Sequence, residues 1–483
     1  MILGRQQGGD RPFLGHPRPI THPKSLSGKR YITRHMLQMR KPVMKKPCLK
    51  TPIPGPLASQ WISRDSKILS PSLPREYALV AFKGKGQWIE DIDGNEFLDF
   101  TSGIAVCSTG HCHPDVVASA QAQLASLIHM CGSDFYHLPM IQLAEKLAEI
   151  TPGQFEKRVL LANSGAEAVE AGFKLARWHS GRDKAIAFLG AFHGRTMGAL
   201  SLTASKAVQR KGFSSFVPGI HHVPYANCYR CAFRLTHPSC NFECIRFIEE
   251  HIFRTILPPE EVAVIVIEPI QGEGGYIVPP EHYHARLKAM AEKHGILYMV
   301  DEIQSGMGRT GKLFAMEHFG VDPDLITLAK GIASGMPLSA LVTRSEVMDW
   351  TRGAHGSTYG GNPVSCAAAL TSIDVIQAGL VENARILGDR LRSGLLAMQQ
   401  NLECIGDIRG LGLMQAVELV VDRELKTPYK ALRDKLLQGC FQKGLLLLSC
   451  GESVIRFCPP LIIGTDDIDT ALDIFESVLR DVL

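Results

Sequence analysis

The sequence predicts an α/β protein built on a mostly parallel sheet with helices on both faces, and three observations predict it. Short apolar runs recur at "KRVLLANS", "DKAIAFLG", "VAVIVIEP", "GILYMVDE", "PDLITLAK" and "SALVTR", separated by segments long enough to be helices. The chain has 483 residues and 45% hydrophobic content, enough for a large core divided among two or three domains. Third, the polar residues best suited to chemistry stand at the carboxyl ends of those runs, where open α/β sheets bind ligands.

Taken in order, the chain begins with a basic leader. Residues 1–50 hold 12 Lys/Arg against one acid, Asp10, a local charge of +11, which leaves the remainder at −7. The leader is rich in Pro and Gly and has no apolar centre, so a secretory signal is excluded. A disordered arm, a transit peptide, or upstream sequence preceding a later start at Met36, Met39 or Met44 remain as readings, with residues 1–55 set apart from the fold. No aromatic or groove-reading pattern accompanies the charge, so nucleic acid is not expected as a partner. The longest apolar runs, "AVIVI" and "GLLLL", are far short of the roughly 18 residues that suggest a membrane span. No membrane partner is expected.

"KGQWIEDIDGNEFLDF" alternates apolar and polar residues around Asp93-Gly94, the pattern of an antiparallel hairpin. Residues 56–105 therefore open a small domain, 106–378 form the large one, and 379–483 return to the small one. Helical periodicity in "VENARILGDRLRSGLLAMQ" and strands around "RGLGLMQAVEL" and "SVIRFCPPL" mark that last part. Thirteen cysteines without a signal peptide point to a reducing compartment. Four of them, Cys228, Cys231, Cys240 and Cys244, fall in an insertion at about 226–246. Their C-x2-C-x8-C-x3-C spacing suits a small tetrathiolate metal site but is not a standard zinc-finger spacing. Free thiols and disulfides stay open beside it, and no residue is assigned as a metal ligand.

Three strand ends carry the chemistry. In "LANSGAEAVEAGFKLARW", Ser164 is a good helix N-cap with Glu167 at the capping-box position. Gly165 and Ala166 are small enough for the first N–H groups of that helix to approach a phosphate. "GILYMVDEIQ" delivers Asp301 from a buried strand; a buried carboxylate needs a cation or local donors, so Asp301 either caps the following loop or faces a protonated ring nitrogen. Ile303 could then pack on the ring face and Gln304 bond a ring substituent. Lys330, in "ITLAKGIASGMPLSA", ends the next run, and a lysine there is paired, exposed or chemically used. A phosphate cradle, an aspartate and a lysine that can form a Schiff base, all at strand ends, are the parts required for pyridoxal phosphate.

From about residue 60 onward the chain resembles the class III (ω-)aminotransferases, fold-type I pyridoxal-phosphate enzymes, in "NSGAEAVE", "AFHGRT", "EPIQGEGG", "DEIQSGMGRTG", "LAKGIASGMPL", "STYGGNP" and "VIRFCPPL". Within that family it is most similar to the 4-aminobutyrate enzymes. The resemblance implies a large domain with a seven-stranded, mostly parallel sheet and a smaller α+β domain made of N- and C-terminal segments. It makes Lys330 the Schiff-base lysine, Asp301 the partner of the pyridine nitrogen, Gly165 and Ala166 phosphate binders, Phe192 the ring-stacking residue and Gln304 the contact of the ring hydroxyl. Thr358 would reach the phosphate of a neighbouring subunit, which implies a homodimer or larger homo-oligomer with shared sites.

For substrate, the resemblance assigns Arg195 to the far carboxylate and Arg456 to the α-carboxylate of a dicarboxylic partner. Glu273 is the gate that pairs with Arg456 when an ω-amino acid binds, and Ile104 is the apolar neighbour found in 4-aminobutyrate enzymes. Planar guanidinium groups suit bidentate carboxylate contacts. The expected reaction is transamination of an ω-amino acid, with 2-oxoglutarate accepting the amino group, in the cytoplasm. Acetylornithine- or ornithine-type transamination and racemisation of an α-amino acid are the alternatives; the cysteine-bearing insertion also resembles members that include racemases. Met307 departs from the more common "GFGRTG" and is expected to alter pocket shape more than chemistry.

Overall fold

The computed structural model describes residues 45–483. Most of the basic leader, residues 1–44, thus lies outside the described residues. From Lys45 the chain is already part of the body, ten residues before the expected end of the leader. Cys48 and Glu96 exchange backbone hydrogen bonds of 3.1 and 2.8 Å. The Asn95 side chain also accepts from the N–H groups of Lys50 and Thr51. These partners fix a segment whose composition alone reads as loop.

The first three strands, β1 (Ala81–Lys85), β2 (Trp88–Asp91) and β3 (Glu96–Asp99), form an antiparallel meander. The expected hairpin turns at Gly94, whose φ of 83° is open to glycine. Seven strands follow: β4 (Lys157–Ala162), β5 (Lys184–Phe188), β6 (Ile220–Val223), β7 (Val262–Ile267), β8 (Leu297–Asp301), β9 (Leu325–Leu328) and β10 (Ser339–Arg344). They make one sheet in the order β4-β10-β9-β8-β7-β5-β6. The pairs from β9 through β6 are parallel, and β10 alone runs against both its neighbours. Every residue of β7 is buried, which is why "VAVIVI" reads as an unbroken apolar run rather than an alternation. The apolar runs account for six of the seven strands. The edge strand β6, "IHHV", carries two histidines and was not among them.

The C-terminal segment adds β11 (Ile405–Leu411), β12 (Met414–Leu419), β13 (Leu445–Leu446), β14 (Leu448–Cys450) and β15 (Val454–Phe457). Four of these form a sheet in the order β11-β12-β15-β14, and β13 joins β3 in parallel. The apolar core of the seven-stranded sheet consists of two clusters that take alternate residues of its strands, one of them including the helix Gly165–Ser180. A second core unites Trp88, Leu98 and Phe100 from the early strands with residues between Ala384 and Leu479, so distant parts of the chain share one interior.

A continuous helical run, Pro363–Asn401, is long and apolar enough by composition to cross a bilayer, with a mean hydropathy of 1.6 in its most apolar window. The runs of uninterrupted apolar residues did not reveal it, because its apolar positions are interspersed with small and polar ones. Its first part packs on the helices Pro114–Ser126 and Leu138–Ile150, and Cys366, Ala369, Ile373 and Ile376 enter the core of the large sheet. Those contacts make it a core helix.

Candidate active site

A cavity of about 310 Å³ opens at the carboxyl ends of the strands, within the size range of small-molecule sites. Gly165, Ala166, Phe192, Asp301, Ile303, Gln304 and Lys330 all line it. β4 ends at Ala162, and the helix Gly165–Ser180 begins at once, held by its capping box. The Glu167 carboxylate accepts from the Ser164 and Asn163 N–H groups at 2.8 and 2.7 Å, while the Ser164 hydroxyl accepts from the Glu167 N–H at 3.4 Å. The first turn thereby presents free N–H donors to the cavity, as an anion requires. Two glycines make room there. A Cβ on Gly165 would lie 2.9 Å from Ile303 Cδ1, and one on Gly194, at φ 142°, 2.7 Å from the Ala166 Cβ.

Asp301, the last residue of β8, makes the expected local cap and also has a histidine partner that the sequence did not suggest. Its Oδ1 accepts from the Ile303 N–H at 3.0 Å, a local cap, and its Oδ2 stands 2.7 Å from Nδ1 of the buried His193. Burial disfavours the His193 imidazolium, but the hydrogen bond and charge of Asp301, helped by Glu268, outweigh it and raise the pKa. His193 was missed because nothing in its neighbourhood marks it; the signal was the need of Asp301 for a cation, within the quoted string "FHGRT".

Glu268, beyond the end of β7, was missed too. Its two carboxyl oxygens accept from the Phe192 N–H at 2.9 Å and the Gly272 N–H at 2.7 Å, tying two loops of the site together. Burial, with the charge of Asp301 nearby and that of His193 opposing, pushes it up to about 7. Gly272 in turn gives space to Gln304, whose Nε2 would lie 2.7 Å from a Cβ at that position.

Lys330 follows β9 in a left-handed conformation, φ 47°, and is partly open to the cavity. Burial lowers its pKa, an effect that the charges of Asp301 and Glu268 only partly oppose. A buried amine, an unpaired carboxamide oxygen on Gln304, an aspartate bonded to His193 and the Ile303 N–H, and a helix N-terminus therefore surround one space. These are the groups that would receive an aldehyde, a ring hydroxyl, a protonated ring nitrogen and a phosphate. The donor set fits pyridoxal phosphate.

The remaining expected residues lie outside this lining. Arg456, on β15, is nearly fully buried, and its Nη1 stands 3.3 Å from Glu273 Oε2. Arg195 is exposed, its guanidinium 5.6 Å from the centre of the Phe192 ring. Thr358 is exposed as well. Ile104 is half exposed, in a turn where Ser102, Gly103, Ile104 and Ala105 all have positive φ; at 68° a β-branched side chain is strained. Met307 does not reach the cavity. It is buried in the main core, and a Cβ on Gly331 would come within 3.1 Å of its own, so its effect on the site passes through the turn that carries Lys330.

The four clustered cysteines line a separate small cavity together with His237. All four are free thiols. Burial, reinforced by the neighbouring cysteines, pushes the Cys244 thiol up to about 12. Among the described residues no group of three or more His, Cys, Asp or Glu side chains is positioned to hold a metal ion.

Comparison with known proteins adds the following. Residues 72–479 match the family model described as aminotransferase class-III. The chain is 38% identical over 449 residues to an alanine/serine racemase of Pyrococcus horikoshii, covering 91% of this chain and 94% of that one. It is 42% identical over 422 residues to the 4-aminobutyrate aminotransferase GabT of Escherichia coli, covering 86% and 97%. An amine transaminase from an uncultivated Pseudomonas species, solved with PLP bound, superimposes with a TM-score of 0.80 at 30% identity, over 86% of this chain and 98% of that one.

Proposed function

Because the chain belongs to the class-III aminotransferases, fold-type I enzymes that work with pyridoxal phosphate, we propose that it moves the amino group of an ω-amino acid, 4-aminobutyrate first, to 2-oxoglutarate. The products are a semialdehyde and glutamate. The observation that carries this reading is the Arg456–Glu273 pair beside a cavity holding Lys330 and Asp301. One arginine that is neutralised by a movable carboxylate can serve two substrates, one with and one without a carboxylate next to the reacting carbon.

When bound, the cofactor supplies an aldehyde that links to amines and a protonated ring that draws electrons from the carbon bearing the nitrogen. With the cofactor bound, the Lys330 amine, whose pKa burial lowers, would hold its aldehyde and would carry the proton taken from the carbon that bears the substrate nitrogen. Asp301, held in place by His193 and the Ile303 N–H, would face the ring nitrogen and favour its protonated form. Gly165 and Ala166 would take the phosphate, Phe192 and Ile303 would enclose the ring, and Gln304 would accept from its hydroxyl. Arg195 holds the far carboxylate at the mouth, with Ile104 against the substrate methylenes. Thr358 serves the site of a second copy in a homodimer. We place the enzyme in the cytoplasm, a reading favoured by thirteen free thiols.

The purified protein should be yellow, and borohydride should fix the cofactor to Lys330; the Lys330→Ala variant should be colourless and inactive. An amine panel with 2-oxoglutarate, led by 4-aminobutyrate, N-acetylornithine, ornithine and leucine, tests the substrate. A second reading has a specific support in the Pyrococcus horikoshii relative: racemisation of an α-amino acid. Loss of optical activity from a single amino acid, without any 2-oxo acid, would establish that reading in place of transamination.

A further inference from the structure

Glu273 faces two cations. Its Oε2 is 3.3 Å from Arg456 Nη1, and its Oε1 is 2.6 Å from Lys206 Nζ. The shorter contact is with the lysine, which forms a hydrogen bond; the buried Arg456 Nη1 and Nε make none. The two cations also differ in exposure. Arg456 is held in β15 between β12 and β14, whereas Lys206 is one-third exposed at the start of a short helix, Ala207–Arg210. Glu273 lies in a loop flanked by Gly272, Gly274 and Gly275. A neighbouring arginine, Arg409, is already committed to Glu418 and Asp407 at 2.6 and 2.7 Å. Lys206 is thus the cation at hand when Arg456 turns to a substrate.

We propose that Lys206 is a specificity-determining residue that retains the Glu273 carboxylate when Arg456 is taken by a substrate carboxylate. The inference deepens the proposed reading and rests on it for the role of Arg456. Without Lys206, an incoming α-carboxylate and Glu273 must share one guanidinium, and the two anions repel. With it, the open state contains two neutral pairs, Glu273 with Lys206 and the substrate with Arg456. An ω-amino acid has no α-carboxylate, leaves the Glu273–Arg456 pair closed and gains nothing from the lysine. Lys206 therefore biases the site toward α-amino acids and 2-oxo acids.

The test uses holoenzyme and the change in cofactor absorbance on titration with L-glutamate, L-alanine, 4-aminobutyrate and butylamine. Lys206→Met should weaken binding of the two α-amino acids about tenfold and that of 4-aminobutyrate and butylamine less than about twofold. Lys206→Arg should restore most of the loss. In a Glu273→Gln background, Lys206→Met should have no selective effect, because no anion remains to be retained. Equal shifts for all four compounds, no shift at all, a selective shift that survives Glu273→Gln, or no response to either α-amino acid would each overturn the proposal. Failure of the wild type to convert 4-aminobutyrate would instead remove the ω-amino acid assignment, and Lys206 would then be judged on alanine against butylamine.

Discussion

The two strand-end carboxyl groups of the site are held by different partners. Asp301 faces an imidazole whose protonated form it favours, while Glu268 has two N–H donors but no cation in direct contact, and burial raises its pKa. In unfolded chain a glutamate ionises near 4.5, and in the folded protein Glu268 does so near 7. Between those values the folded state keeps a proton that the unfolded chain has released, so stability falls as pH rises. In the cofactor-free protein Glu268→Gln should remove about 2 kcal/mol of that fall between pH 5 and 7.5, read from urea unfolding at the two values. Gly194→Ala should cost about 1–3 kcal/mol and loosen cofactor binding, since its Cβ would press on Ala166 at a φ that alanine resists; thermal unfolding and cofactor titration check both effects. Lys330 and Asp301 were legible in sequence because a charged residue closing an apolar run is conspicuous. His193 and Glu268 were not, since each draws its importance from a partner on another strand. The exposure of Arg195 and Ile104 likewise depends on how loops leave the sheet, which residue type does not encode.

At the scale of elements, the capping box at Ser164 could be read from four letters because it is local: a hydroxyl, a carboxylate and two backbone donors within four residues. Ser164→Ala should lower stability by about 1 kcal/mol, read from thermal unfolding, and should weaken phosphate affinity more than substrate affinity, because the loosened first turn is the one proposed to take the phosphate. Strand β6 escaped detection for the opposite reason. It is an edge strand, bonded on one side only to β5, and "IHHV" lacks the apolar density of its buried neighbours. The expected division at residue 378 falls inside the helical run Pro363–Asn401 rather than in a linker. A π-helical turn, Ile376–Leu380, interrupts the run there, and Gly379 sits at φ 150°. Gly379→Ala finds open space but a prohibitive backbone angle, so it should destabilise the protein by about 1–3 kcal/mol, measurable as a lowered unfolding midpoint.

For the whole molecule, the two interiors meet different demands. The first packs the parallel sheet and fixes the strand ends around the cofactor cavity; the second gathers early and late segments and carries Arg456 on β15. The order of strands within the first could not be read from sequence, because pairing between distant segments leaves no periodic trace. Its least expected feature is β10, which lies between β4 and β9 and runs against both. β4 touches no other strand of that sheet. The strand that leads into the helix expected to hold the phosphate is therefore paired only by a strand made after Lys330, about 180 residues later in synthesis. A ribosome that has delivered residue 301 has produced the aspartate and the anion-binding turn, joined so far only by the packing of that helix on β7 and β8 while β4 lacks its sheet partner. β4 gains its sheet partner only when the hairpin bearing Lys330 forms, so one late pairing event completes both the scaffold and the turn that carries the lysine.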